Sequence, residues 1–390
     1  MTPPARKTTR TAVEREALRP HVAEWFGHRV FPAVADHAQA RADQTSQRCP
    51  FLSQVAERDT GCVKSDNSRG VCTISAGSNG TRQDWLVCPH RALDDDLLHA
   101  MVRRLFAMAP GKPLHVVPVT NLASPTVRQG VVDAALDPGR PRQFLTFQQL
   151  FGGEISLPRS PASPELSFDA TIVEVVPDGR GGVRLGRYGV VEMQTTDTHG
   201  SYRHAVDALR GALDLHAGDF GAQVGAHPDW PGRKVEGPNI SNVFKRTFYQ
   251  VMFKFQITRR ESSAGCILAL PRPVWDSWQP FLGAPDLYDA GDGTHRLVVP
   301  ALDDDPGDGA PGDGPDAPNW IYVFDIADDP PADGSTTPIE VQLVIATDAP
   351  TLSRLALDIA PANAIGDTLD VDTVLMSLRR RTLAFLPDLS

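Results

Sequence analysis

The chain has 390 residues, 41% of them hydrophobic and 22% charged, an ordinary globular composition with room for two or three structural units. No apolar run approaches the ~18 residues that a membrane span needs, and the polar first 20 residues lack the apolar stretch of a secretory signal, so a cytoplasmic protein with no membrane partner is expected. The net charge of −10 argues against a uniformly basic nucleic-acid binder, but residues 303–340 hold ten Asp and one Glu without Lys or Arg, which leaves the rest of the chain at +1.

Residues 1–45 read as an N-terminal arm and a helix, because Val22, Trp25, Phe26, Val30, Phe31 and Val34 recur at roughly helical spacing. Residues 46–110 form a second unit. Four of the five cysteines, Cys49, Cys62, Cys72 and Cys88, fall here, separated by 12, 9 and 15 residues. The stretch 46–90 is too poor in apolar residues to fold on its own core, and such segments usually need a metal to fold. Four thiolates can complete a tetrahedral shell around zinc or iron. The prolines after Cys49 and Cys88 stiffen the backbone, and Gly61 and Gly70 permit tight turns beside Cys62 and Cys72. The gaps are not those of C-x-x-C knuckles, so four unrelated buried thiols is the competing reading. Cys266 stands alone in an apolar strand and reads as packing. Residues 97–106 look helical.

The third unit, 111–285, carries a carboxylate constellation. Ser163-Pro-Glu-Leu-Ser-Phe-Asp169 is followed, after 22 residues, by Glu192-Met-Gln194 at the end of a strand that begins Arg187-Tyr-Gly-Val-Val. Alternation along a strand sets Glu192 and Gln194 on one face. An Asp beside a Glu on a neighbouring strand makes a hard-oxygen pocket for Mg²⁺, and phosphodiester hydrolysis uses such a pocket. This is the layout of the PD-(D/E)xK nucleases, with Gln194 where lysine usually stands. Glutamine carries no charge, yet it can orient water or a phosphate oxygen by hydrogen bonding. Glu154, after Gly152-Gly153, is a further acidic candidate. A half-exposed strand with ordinary charges is the bland alternative.

Helices are expected over 201–216, 242–255 and 274–282, and a strand over 265–270. Arg233, Lys234, Lys245, Arg246, Lys254, Arg259 and Arg260, against Glu236 and Glu261, give a local basic stripe suited to phosphates. Its ordinary alternative is a solvated helix face. Asn239, Asn242, Lys245 and Arg246 have the chemistry for DNA contacts. His199, His204, His216 and His227 lack ββα-metal spacing and read as surface or core residues. The fourth unit, 286–390, adds strands at 297–302, 320–324 and 339–345, helices at 352–358 and 371–385, and an acidic, Pro/Gly-rich loop at 303–318 expected to be disordered.

Several stretches together resemble the NotI restriction endonuclease family. They are Trp25-Phe-Gly-His-Arg-Val-Phe-Pro32, Cys49-Pro-Phe-Leu52, Ser68-Arg-Gly-Val-Cys72, Asp84-Trp-Leu-Val-Cys-Pro89, Gly152-Gly-Glu154, the Asp169 and Glu192 motifs, His199-Gly-Ser-Tyr202, His204-Ala-Val206 and Glu236-Gly-Pro-Asn-Ile-Ser-Asn-Val-Phe-Lys-Arg-Thr-Phe-Tyr-Gln250. The match runs in order over about residues 22–285 and weakens beyond.

The resemblance implies an α/β fold with a PD-(D/E)xK restriction-endonuclease-like core, a mixed sheet flanked by helices, and an N-terminal four-cysteine metal-binding segment. It implies a homodimer that cuts a GC-rich palindrome, best guessed as GCGGCCGC, with a cognate DNA methyltransferase as genetic partner. Asp169 and Glu192 would hold catalytic Mg²⁺, with Gln194 in the lysine's place and Glu154 assisting. Cys49, Cys62, Cys72 and Cys88 would hold structural iron, with zinc as the other metal. Competing readings are a metal-folded DNA-binding regulator without nuclease activity and an iron–sulfur protein.

Overall fold

In a computed structural model the chain is described over residues 18–78, 80–161, 163–196, 198, 200–240, 243–257, 260–300, 319–366, 371–383 and 385. The expected disordered loop at 303–318 lies outside the described residues, as do Asn242, His199 and Arg259.

Residues 18–34 correct the expectation of a helix. They form strands β1 (His21–Trp25) and β2 (His28–Arg29), joined by a two-residue turn at Phe26 and Gly27. Both turn residues have positive φ, 52° and 79°, the geometry that matches the right-handed twist of a hairpin. A Cβ on Gly27 would stand 2.8 Å from Pro50 and Phe51, so glycine is required there on two counts. Of the apolar residues that fit a helical period, Val22 and Trp25 lie in β1, Phe26 in the turn, and Val30, Phe31 and Val34 after β2; β1 also pairs with β3 (Val71–Ser78), which pairs with β4 (Thr81–Leu86). Helices α1 (Ala38–Ser46) and α2 (Pro50–Ala56) fill the gap between β2 and β3.

The cysteine segment does not stand apart from the rest. Phe51, Leu52, Val55 and Leu86 are buried together with Leu97, Met101, Ile172, Val191 and Ile267, in one apolar cluster shared with the main sheet. Its few apolar residues borrow a core from distant strands.

Next come α3 (Asp95–Leu105), β5 (Leu114–Pro118), α4 (Pro125–Leu136), β6 (Arg142–Gln148), β7 (Ile155–Leu157), β8 (Leu166–Phe168), β9 (Ala170–Pro177), β10 (Val183–Met193), α5 (Arg203–Leu215), α6 (Phe220–Ala226), α7 (Val243–Ile257), β11 (Ser263–Pro271) and α8 (Arg272–Leu282). The chain closes with β12 (Leu287–Asp289), β13 (His295–Leu297), β14 (Asn319–Ile326), β15 (Ile339–Thr347), α9 (Ala349–Arg354), α10 (Ala360–Gly366) and α11 (Val371–Thr382). The strand expected at 297–302 is not found there: β13 ends at Leu297, residues 298–300 are not strand, and 301–302 lie outside the described residues. Helix α3 shows why such segments fold locally. Asp94 caps it, Asp95 and Asp96 sit in its first turn and Arg103 and Arg104 in its last, each sign complementing the helix dipole.

The protein is α/β, with a large mixed sheet flanked by helices. The nine strands run β12-β13-β15-β14-β11-β10-β9-β6-β5, with parallel pairs β5/β6, β10/β11, β11/β14 and β13/β15. The strands of 319–347 therefore belong to the same sheet as β5, β6, β9, β10 and β11, while β7 and β8 pair with each other. Every residue of β11 is buried, as befits a central strand covered on both sides. Its side chains divide by alternation. Cys266, Leu268 and Leu270 pack with Val190 and residues of α5 to α8, while Ile267 and Ala269 pack with Val191, Ile172 and α3. Among the described residues no helix is long and apolar enough to cross a membrane.

Candidate active site and cysteine pocket

Pairing of β9 with β10 matches Ala170 to Val191, which brings Asp169, at the bend before β9, beside Glu192. Each acid accepts from a backbone N–H at the other's strand end. The Met193 N–H donates to Asp169 Oδ2 at 2.9 Å, and the Asp169 N–H donates to Glu192 Oε1 at 3.4 Å. The sequence-derived pair is thus assembled at the end of a central strand, with Glu192 only 5% exposed.

Helix α7 crosses this strand end and grips it twice. Thr247 Oγ1 donates to Gln194 Oε1, and Lys254 Nζ donates to Glu192 Oε2. The two helix residues are seven apart, two turns on one face. Glu192 and Gln194 share a strand face, as alternation requires. Gln194 is further fixed by its Nε2 donating to the Thr195 carbonyl at 2.5 Å and its backbone N–H to Ala269 O at 2.9 Å.

Lys254 was visible in the sequence only as part of a basic stripe. The structure buries it to 3% exposure, with Nζ 5.9 Å from the centre of the Phe168 ring. A signal was there to find it. Val243, Thr247, Val251, Lys254 and Phe255 fall on one helical face, and all are buried, so the lysine interrupts an apolar stripe.

Electrostatics mark the site as short of positive charge. Burial, and then the charge of Asp169, push the Glu192 carboxyl up to about 8, more than Lys254 pulls it down. Glu154 is drawn in as well. Partial burial and Asp169 raise its carboxyl, opposed by Lys254. It follows Gly152 and Gly153, both with positive φ, and a Cβ on Gly152 would meet Val119 Cγ1 at 2.3 Å. Of the three carboxyl groups, Glu192 is the one that receives the Lys254 ammonium.

Of the DNA-contact candidates, Asn239 and Arg246 line a cleft with Gln194, Thr195, Thr247 and Gln250. Lys245 is exposed on α7. His204 and His227 are also exposed, His227 stacked on Trp230 at 4.4 Å.

The four clustered cysteines reach one pocket, which they line with Phe26, Lys64, Gly70 and His90. Cys49 precedes α2, Cys72 lies in β3, and Cys88 starts the short 3₁₀ turn Pro89–Leu93. The Gly70 N–H donates to Cys62 Sγ at 3.4 Å, and Cys72 Sγ donates to the Gly70 carbonyl at 3.4 Å. Burial raises the Cys49 thiol to about 12 and lifts Cys72 and Cys88 also. Cys266 is wholly buried in β11, away from this pocket. Among the described residues, no group of three or more His, Cys, Asp or Glu side chains is already arranged to hold a metal ion, at the cysteine pocket or at the carboxylates.

Helix α7 thus unites three features that the sequence offered separately: the acidic pair, the glutamine and the basic stripe. No protein-family profile matches the chain, and no curated protein is significantly similar to it.

Proposed function

We propose that the protein is a Mg²⁺-dependent DNA endonuclease of the NotI restriction type, acting as a homodimer on a GC-rich palindrome, with GCGGCCGC as the first site to test. The observation that carries this reading is the meeting of Asp169, Glu192, Gln194 and Lys254 at one strand end, beside a cleft lined by Asn239 and Arg246. Two-fold symmetry follows from the substrate, since a palindrome presents the same surface twice.

The donor set suits a hard cation. Asp169 and Glu192 supply carboxylate oxygens on adjoining strand ends, the hard donors that such a cation takes. When bound there, Mg²⁺ would polarise the scissile phosphate and lower the pKa of the attacking water. Hydrolysis adds that water across one P–O bond: its oxygen joins phosphorus, the bridging oxygen leaves, and one proton moves from the water to the leaving oxygen by way of solvent. The protein's own contribution is to fix the two carboxylates through the Met193 and Asp169 N–H groups, to orient water or a phosphate oxygen with the Gln194 carboxamide, and to meet the DNA backbone with Arg246 and Lys245. Glu154 adds negative charge at the edge.

The four cysteines are proposed to hold a structural iron, or zinc, with Cys49, Cys62, Cys72 and Cys88 as ligands. Four soft sulfur donors on one pocket fit either metal. A cutting enzyme in the cytoplasm needs a methyltransferase to protect host DNA, and a neighbouring methyltransferase gene is the genetic counterpart of this reading.

Incubation with plasmid DNA and Mg²⁺, followed by mapping of the ends, tests the proposal. Discrete ends at one palindromic sequence are expected. Specific binding without cleavage would identify a regulator instead.

A further inference from the structure

The endonuclease reading leaves one chemical vacancy. At the strand position where PD-(D/E)xK nucleases carry lysine, this chain has Gln194, which cannot offer a charged donor. We propose that Lys254 supplies that ammonium from helix α7, reaching the carboxylates from the helix side instead of along the strand. The inference rests on the endonuclease reading and assigns it a further residue.

Three observations carry it. Lys254 Nζ donates directly to Glu192 Oε2, one of the two proposed metal-binding carboxylates. The lysine is almost wholly buried, although a buried ammonium is costly unless it is paired and hydrogen-bonded. A mere surface charge has no reason to be there. Third, its Nζ lies 5.9 Å from the centre of the ring of Phe168, the residue next to Asp169, so the ammonium reaches the strand end that carries both acids.

The helix that brings Lys254 also brings Thr247, whose hydroxyl holds the Gln194 side chain. Helix and strand have in effect exchanged roles. The strand keeps a neutral, hydrogen-bonding group, and the helix provides the charge. A side chain of lysine's length can serve from either scaffold, because what the chemistry reads is the position of the ammonium and not the backbone that carries it.

A purely structural salt bridge makes a different prediction, and three variants separate the two. They are Lys254→Met, Lys254→Arg and the double variant Gln194→Lys with Lys254→Met. Methionine fills much the same space without the charge.

The readouts are the single-turnover cleavage rate in Mg²⁺ on the duplex cut by the wild type, metal-free affinity for that duplex, and melting temperature. Lys254→Met is expected to cut at least about 100-fold more slowly, in the range set by loss of a positioned catalytic group, with affinity within about threefold of wild type. Restoring a lysine on the strand in the double variant should recover at least about tenfold of that rate.

Cleavage by Lys254→Met within about threefold of wild type overturns this inference and leaves the endonuclease reading intact. So does a loss of rate that tracks the fall in folded protein and is restored by Lys254→Arg but not by the strand lysine. A wild type that cuts no duplex overturns both.

Discussion

Thr247 and Gln194 lie 53 residues apart in the chain, yet the threonine hydroxyl donates to the glutamine's side-chain carbonyl. That single proton is shared with the Val243 carbonyl, 2.8 Å away. Replacing Thr247 with valine keeps the shape and removes the tether. A net hydrogen bond is worth about 1 kcal/mol, so cleavage is expected to slow roughly fivefold with little change in melting temperature. Single-turnover rates on the cut duplex check this. An unchanged rate would show that the orientation of Gln194 does not matter to the reaction.

Asp169 and Glu192 should differ when each is truncated, although both losses are expected to stop cleavage. Glu192→Ala leaves Lys254 buried without its partner, and removing one member of a buried pair costs about 3–5 kcal/mol. Asp169→Ala instead removes a negative charge that works against ionised Glu192, so it should leave stability near wild type. Denaturant melts of the two variants provide the comparison. Equal destabilisation would mean that the Lys254–Glu192 contact carries no structural load.

Glu24 ties stability to pH. Burial alone would raise this carboxyl, but the charges of Arg91 and Arg29, with hydrogen bonds from Arg91 and Thr73, hold it below the ordinary value of 4.5. A folded-state pKa below the unfolded one gives stability that is fully present above about pH 4.5 and is lost as pH falls through the lowered folded value. Glu24→Gln should therefore be less stable at pH 7 and lose less on acidification. Stability measured from pH 7 down to 3 tests this. Parallel curves for the variant and wild type would remove Glu24 from the account.

The cysteine pocket yields a prediction about metal content. Four thiolates fill a tetrahedral shell and leave no open position, so a mild chelator should stop cleavage reversibly and leave the thiolate-bound metal in place. Cys72→Ser should lose that metal. Cys72 lies in β3 beside Thr73, which donates to Glu24, so the loss should spread into the N-terminal sheet and lower the melting temperature. Structural zinc supplies an apparent ~10–16 kcal/mol to small domains. Here the segment shares a large core, and a partial loss is expected, not global unfolding. Elemental analysis beside thermal melts decides it, and wild-type protein free of iron and zinc would end the proposal.

Much of the site could be read from the chain because its signals are local. Glu192 is placed by the strand that begins Arg187-Tyr-Gly-Val-Val, β11 shows in its apolar run, and α7 in its aromatic-rich segment. What escaped depends on partners distant in sequence. Val22, Trp25 and Phe26 fit a helical spacing, and the strand is decided by pairing of β1 with β2 across the Phe26-Gly27 turn and with β3, some fifty residues on. Lys254 escaped because charge was weighed by region, whereas its meaning lies in the carboxylate 62 residues before it. The apolar residues of the cysteine segment looked too few because the core they join is built by residues 97–339.

The first strands of the chain are completed by nearly the last. Arg29 is wholly buried, and its guanidinium donates to the carbonyls of Ile326 and Ala327, while the Thr337 N–H donates to the Gly27 carbonyl. On a ribosome these acceptors emerge about three hundred residues after the arginine that needs them. Until then, Arg29 lacks part of the hydrogen bonding that offsets its burial, and its hairpin must wait, hydrated or loosely held. Contacts of such long sequence separation slow folding, so the N-terminal hairpin, though made first, should be among the last parts to lock. A nascent chain cut short before residue 326 would carry Asp169, Glu192 and Lys254 and still lack the strap that joins its two ends.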